Sequence, residues 1–176
     1  MRALVVYESM FGNTEEVAQV VMKGLLGTVA AELVEVSDAP GALPEGVDLL
    51  VVGGPTHGFG MSRPGTRETA RKQAGESLVS RGPGIREWLT RLPPARREVV
   101  SAAFDTRFGK PRWLTGSAAR GADRLLRQRG YRSIIEPASF YVTATAGPLA
   151  DGERVRARQW GGTVGAIAIA RARQVS

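Results

Sequence analysis

Near its start the chain changes period. Leu4, Val5 and Val6 form an unbroken apolar run, whereas Val17, Val20, Val21 and Leu25 recur at i, i+3, i+4 and i+8. The run suits a strand covered on both faces, as in a parallel sheet, and the recurrence is one face of an amphipathic helix that Gly27 is placed to stop. Between them lie Ser9, Met10, Phe11, Gly12, Asn13 and Thr14. A helix start presents about four backbone N–H groups without internal partners and roughly half a positive charge, so a phosphate is well placed there. Ser9, Asn13 and Thr14 add side-chain donors, and Gly12 lets the backbone bend towards an anion. No Lys or Arg stands in this turn, and neither G-x-x-x-x-G-K-S/T nor G-x-G-x-x-G spacing is present, which argues against a P-loop nucleoside triphosphatase and a dinucleotide-binding turn. The alternative reading is a plain strand-turn-helix corner capped by Asn or Thr.

The same change of period recurs downstream. Glu32 to Val36 partly alternates, as an edge strand does, and Val47 to Val52 and Val99 to Phe104 read as buried strands. Arg132 to Val142 reads as a last strand, interrupted at Glu136-Pro137, because proline is confined to edges and bulges. Ile85, Trp88, Leu89 and Leu92 share one helical face, and Ala118, Ala122, Leu125 and Leu126 another that ends at Gly130. From Asp151 a long final helix is expected, in which Gly161, Gly162 and Gly165 cost about 1 kcal/mol each in propensity but would allow close approach to the sheet. Five strands alternating with helices predict an α/β, doubly wound five-stranded parallel sheet of order 2-1-3-4-5. Its 176 residues, 43% of them apolar, suit a single domain over 1–176. Ligands of such sheets sit outside the carboxyl ends of the central strands, at the switch point between strands 1 and 3.

Three segments fall there, and each resembles a flavin loop. Ser9 to Thr14, S-x-F-G-N-T, resembles the FMN-phosphate loop of flavodoxins, T/S-x-T-G-N-T/S, with Phe11 in place of a hydroxyl. Gly53-Gly54-Pro55-Thr56-His57-Gly58-Phe59-Gly60-Met61 is similar to the second flavin loop of that family. The resemblance implies contacts to the isoalloxazine edge from Pro55, Thr56, His57, Gly58 and Phe59, with Gly58 as the peptide that reorients on reduction. The glycines would let backbone lie against the flat ring. By the same resemblance Asp105, Thr106, Arg107 and Phe108, in the loop Phe104 to Gly109, lie by the pyrimidine end of the flavin; as a bare sequence they also read as a capped surface turn. Trp113, beyond that loop, reads as a core or rim aromatic.

The resemblance therefore implies a flavodoxin-like fold holding FMN non-covalently and passing electrons. Its partner would be a redox protein, or NAD(P)H with a small quinone-like acceptor if the chain is a reductase. A flavodoxin fold that serves as a binding module without flavin is the third reading. His57, with an ordinary pKa of about 6.5, reads either as an acid–base group or as a hydrogen bonder and ring-edge contact.

Composition narrows the chemistry further. Without cysteine, disulfides, iron–sulfur ligation and thiol chemistry are excluded, and a single histidine makes a zinc site improbable. No apolar stretch reaches the length of a membrane span and no signal peptide is visible, so a cytoplasmic protein is expected. A net charge of +7, nearly all arginine, favours anionic ligands or partners; no basic recognition helix or aromatic-interleaved basic strand points to nucleic acid. Between Met61 and Gly84 an extra helix is expected. There Arg63, Arg67 and Arg71, with Lys72, would present one basic face, either solvated or serving as a lid or docking surface for an anionic partner.

Overall fold

The structure is a computed structural model that describes residues 1–95, 98–109 and 116–175. In chain order it runs β1 (Arg2–Tyr7), α1 (Asn13–Leu25), β2 (Ala30–Glu35), β3 (Val47–His57), β4 (Gly60–Met61), α2 (Pro64–Ala74), a single 3-10 turn at Gly75–Ser77, α3 (Ile85–Arg91), β5 (Val100–Phe108), α4 (Ala118–Gln128), β6 (Arg132–Ser133), β7 (Ala138–Val142) and α5 (Glu153–Val175).

β1 lies between β2 and β3, and β5 lies on the far side of β3, all parallel. β6 and β7 both run parallel to β5, β6 beside Val100 and Ser101 and β7 beside Phe104 to Phe108. They are two halves of the strand expected at Arg132 to Val142, parted by the segment that holds Glu136 and Pro137. Counted as one strand, they complete the expected order 2-1-3-4-5. β4 folds back antiparallel on the end of β3.

Both faces of this sheet are covered, which is why its central strands are apolar without alternation. Ala3, Val5 and Tyr7 of β1 pack with Val17, Val21 and Leu25 of α1 and with Ala157, Val164 and Ala168 of α5. Leu4 and Val6 point the other way, to Ile85, Trp88 and Leu89 of α3 and Leu126 of α4. Phe104, Phe140 and Trp160 close the first core as mutual edge-to-face rings about 6 Å apart.

Two expectations need correction. β3 continues past Val52 to His57 and β5 past Phe104 to Phe108, so much of what reads locally as loop is extended strand. Glycine, proline and aspartate argue for turns, but Gly53, Gly54 and Pro55 pair in register with Phe104, Asp105 and Thr106, and β7 supports β5 from its other side. Tertiary pairing overrides local propensity. Gly53 also serves the core rather than a ligand: a Cβ there would meet the Phe104 ring at 2.1 Å. The glycines of α5 bring that helix against α1 and not against the sheet. A Cβ on Gly161 would lie 2.3 Å from the Val21 carbonyl oxygen, and one on Gly24 would lie 2.2 Å from that of Arg158.

Candidate functional site

At the carboxyl ends of β1, β3 and β5, joined by the chain after β7, lies a small open cleft of about 70 Å³. Eleven of the fifteen expected contacts line it: Ser9, Met10, Phe11, Asn13, Thr14, Pro55, Thr56, His57, Thr106, Arg107 and Phe108. Gly12, Gly58, Phe59 and Asp105 do not.

The first wall is the turn into α1. Gly12 takes a left-handed conformation, φ 88°, that a side chain would strain, and its N–H donates to Ser9 Oγ at 3.1 Å. Ser9 Oγ thus accepts inside the turn and keeps its own hydrogen for a ligand. Its backbone is held by Ser80, whose hydroxyl takes the Ser9 N–H at 2.9 Å and whose N–H donates to the Ser9 carbonyl at 2.8 Å. The amides of Asn13, Thr14 and Glu15 have no protein acceptor among the described residues, which leaves the helix N-terminus able to take an anion. Two carboxylates in the same turn would oppose that, yet both are engaged. Glu15 accepts from the Tyr7 hydroxyl at 3.1 Å, and Glu16 is paired with Arg154. Burial first, and Glu15 next, push the Tyr7 hydroxyl up to about 12.

The second wall is a β-hairpin where a loop was expected. Thr56 pairs with Met61 and His57 with Gly60, while Gly58, φ 64°, and Phe59 form the turn, leaving Phe59 77% exposed. Thr56 Oγ1 accepts the Ala118 N–H at 2.9 Å and so helps to cap α4. Burial and, after it, the Arg67 charge hold the His57 imidazole below its ordinary range, so it is neutral at pH 7. No carboxylate hydrogen-bonds to it among the described residues, and nothing in the geometry supports an acid–base role.

The third wall is the end of β5. Thr106 Oγ1 lies 2.7 Å from Thr14 Oγ1. Arg107 is only 6% exposed, with its guanidinium 5.4 Å from the centre of the Tyr141 ring, so it does not reach into solvent. Asp105 is fully buried beneath the cleft, where one carboxylate oxygen accepts from Ser117 Oγ at 2.6 Å and from the Ala119 N–H at 3.0 Å. That oxygen caps α4, whereas the other carboxylate oxygen, Oδ1, has no hydrogen-bond partner among the described residues. Trp113 lies outside the described residues.

Sequence reasoning missed two segments. Val142 and Thr145, at and after the end of β7, line the cleft, and the chain there packs so closely on Asn13 that a Cβ on Gly147 would lie 2.2 Å from Asn13 Oδ1. Val79 and Ser80, which clamp Met10 and Ser9, carry no motif at all. The helix expected after Met61 is α2, but its basic face is divided. Arg67 turns inward to a two-pronged pair with Glu87, Arg71 pairs with Glu68, and Lys72 stays exposed. Among the described residues no cluster of three His, Asp or Glu could hold a metal ion, and no helix is long and apolar enough to cross a membrane.

No protein-family model and no curated protein sequence matches this chain. Solved structures do. A flavodoxin from the domain Archaea superposes with a TM-score of 0.64 at 17% identity, covering 96% of this chain and 99% of that one. A flavodoxin from Streptococcus pneumonia TIGR4 gives 0.65 at 16% identity over 94% and 99% of the two chains. A flavodoxin, WrbA-like protein from Agrobacterium tumefaciens gives 0.59 at 20% identity over 96% and 97%. Likeness at such low identity speaks for the backbone arrangement alone, and by that arrangement this chain has the flavodoxin-like fold.

Proposed function

We propose that this protein is an FMN-binding redox protein of the cytoplasm that passes electrons through a non-covalently held flavin. One observation carries the reading: Asn13 and Thr14, whose helix-start amides are open, line the same cleft as the hairpin and the end of β5. The donor set fits the group. Backbone N–H, the Ser9 and Thr14 hydroxyls and the Asn13 amide suit a terminal phosphate without any cation, and the first-turn carboxylates are already partnered. Pro55, Thr56, His57, Arg107 and Phe108 would flank the ring. FMN, when bound, supplies one- and two-electron transfer. Around it the chain's own residues orient the phosphate, exclude water from one side of the ring and set the local charge.

Arg107 favours a second reading, a reductase that takes electrons in pairs from NAD(P)H for a quinone-like acceptor. A buried cation in the cleft wall stabilises negative charge that develops beside it. The absorbance spectrum of freshly purified protein, an FMN titration and anaerobic mixing with NADPH test both readings. Flavin that bleaches on mixing identifies the reductase, and flavin that ignores nicotinamide identifies the carrier. FMN that alters neither its own fluorescence nor the protein's melting temperature refutes flavin binding.

A further inference from the structure

Behind the cleft, on the side away from the ligand space, lies a buried polar cluster centred on Glu8. Glu8 immediately precedes Ser9 of the phosphate turn and is 1% exposed. Its Oε1 accepts from Ser62 Oγ at 2.5 Å and its Oε2 from the Ile85 N–H at 2.9 Å. Ser62 Oγ in turn accepts from Arg67 Nη1 at 2.9 Å, so its one hydrogen is committed to Glu8. Arg67 is held by both carboxylate oxygens of Glu87, at 3.0 and 3.1 Å, and Glu87 also takes the Gly84 N–H. Arg86 donates to the Met61 and Ser62 carbonyls.

Three segments meet at this cluster, and the first of them leads directly out of the hairpin that walls the cleft. Ser62 follows Met61 of the hairpin, Arg67 belongs to α2, and Ile85 opens α3. Both Glu8 oxygens are engaged, one by the Ser62 hydroxyl and one by the Ile85 amide. Burial pushes the Glu8 carboxyl up, against Ser62, the Ile85 amide and Arg67, which pull it down. The other charges facing the cluster are Glu87 and Arg86 from α3 and His57 from β3, with Glu35 of β2 behind Ser80. A buried carboxyl group with two directional bonds to two segments has the arrangement of a tie.

We propose that Glu8 is the positioning residue of the cleft: by taking the Ser62 hydroxyl and the Ile85 amide together, it locks the β3–β4 hairpin, α2 and the start of α3 against the phosphate turn. The role in presenting the hairpin to a flavin ring rests on the FMN reading above; the lock itself does not.

His57 is the chain's sole histidine, so its imidazole is a unique NMR probe on the hairpin. Its pKa is held down by burial and by Arg67, and both depend on the hairpin staying where the lock puts it. Glu8→Gln offers one acceptor where two are needed, at nearly constant volume. If Glu8 only adds a nearby negative charge, its neutralisation leaves the His57 pKa unchanged or lowers it. If Glu8 positions the hairpin, His57 loosens and its pKa rises towards about 6.5. We expect the rise in the flavin-free protein, together with a roughly tenfold loss of affinity for FMN and riboflavin alike, since the hairpin serves the ring and not the phosphate. An unmoved or lowered His57 titration in folded protein overturns the proposal, as does unchanged riboflavin affinity in a parent that binds it. Ser62→Ala, which removes the bridging hydroxyl and leaves Glu8 in place, gives the same two outcomes if Glu8→Gln does not fold. Should the parent bind neither flavin, the FMN reading fails, and the imidazole titration still decides whether Glu8 holds the hairpin.

Discussion

The hydroxyls of Thr14 and Thr106 lie 2.7 Å apart, joining the first turn of α1 to the end of β5 across the floor of the cleft. The bond uses one of the two hydroxyl hydrogens, and an anion at the helix start selects the arrangement in which Thr106 donates to Thr14 and Thr14 donates outward. Thr14→Ala should weaken FMN binding by roughly 1 to 3 kcal/mol, as should Ser9→Ala, because each removes a hydroxyl donor to the phosphate. Thr106→Val leaves Thr14 its hydrogen and should cost less. Riboflavin, which has no phosphate, should bind the Thr14 variant as it binds the parent. Fluorescence titrations with the two flavins decide, and equal FMN affinity in the Ser9 and Thr14 variants would place the phosphate elsewhere.

Arg107 is packed in the cleft wall against Tyr141, and Arg156 lies over the same ring at 5.4 Å. A cation so placed favours the flavin state that carries negative charge, by up to a few kcal/mol before desolvation and screening are discounted. Arg107→Gln should therefore lower the potential for the second electron in a redox titration of the flavin-loaded protein. The same potential in both proteins, with flavin still bound, removes the physical ground for the reductase reading.

The Tyr7 hydroxyl, donating to Glu15 and titrating near 12, gives a sign-definite pH dependence. Its folded-state pKa lies above the ordinary 10.0, so its contribution to stability is whole below pH 10 and is lost as pH rises towards 12. Tyr7→Phe should abolish that part of the alkaline loss in urea unfolding and remove one late step from the ultraviolet titration of the three tyrosines.

Two adjacent glycines of α5 should respond in opposite directions. Alanine gains about 1 kcal/mol of helix propensity over glycine at either position. At Gly162 the new methyl would sit 3.8 Å from the Gly24 carbonyl oxygen, an ordinary contact, so Gly162→Ala should leave stability level or raise it. At Gly161 it would sit 2.3 Å from the Val21 carbonyl oxygen, and parting α1 from α5 should cost about 1 to 3 kcal/mol or more. Urea midpoints of the pair measure the difference, and a stabilised Gly161→Ala would mean that the helices do not touch there.

The doubly wound order and the position of the cleft were legible in the chain because they depend on signals a few residues long. Leu4 to Val6 must be covered on both faces, Val17 to Leu25 on one, and a glycine-bearing turn that resembles a phosphate loop lies between them. Pro137 marks the break between β6 and β7 for an equally local reason, its missing N–H.

Partnerships across long stretches of sequence were not legible. Asp105 reads like a turn residue and caps α4 instead, because pairing with β3 and β7 extends β5 beneath the cleft and brings the carboxylate to Ser117. Arg67 reads as part of a basic face and turns inward, because Glu87, twenty positions on, and Ser62 wait there. Glu8 carries no pattern at all. Its weight comes from Ser62 and Ile85, 54 and 77 residues away, which only the packed sheet brings to one carboxylate. By itself the sequence determined the main strands and helices, their order and the end of the sheet at which the cleft lies, since period, turn chemistry and capping act within a few residues. The tertiary structure alone decided which polar side chains hold the walls of the cleft together, since a buried donor or acceptor takes its role from whatever partner the fold places within about 3 Å.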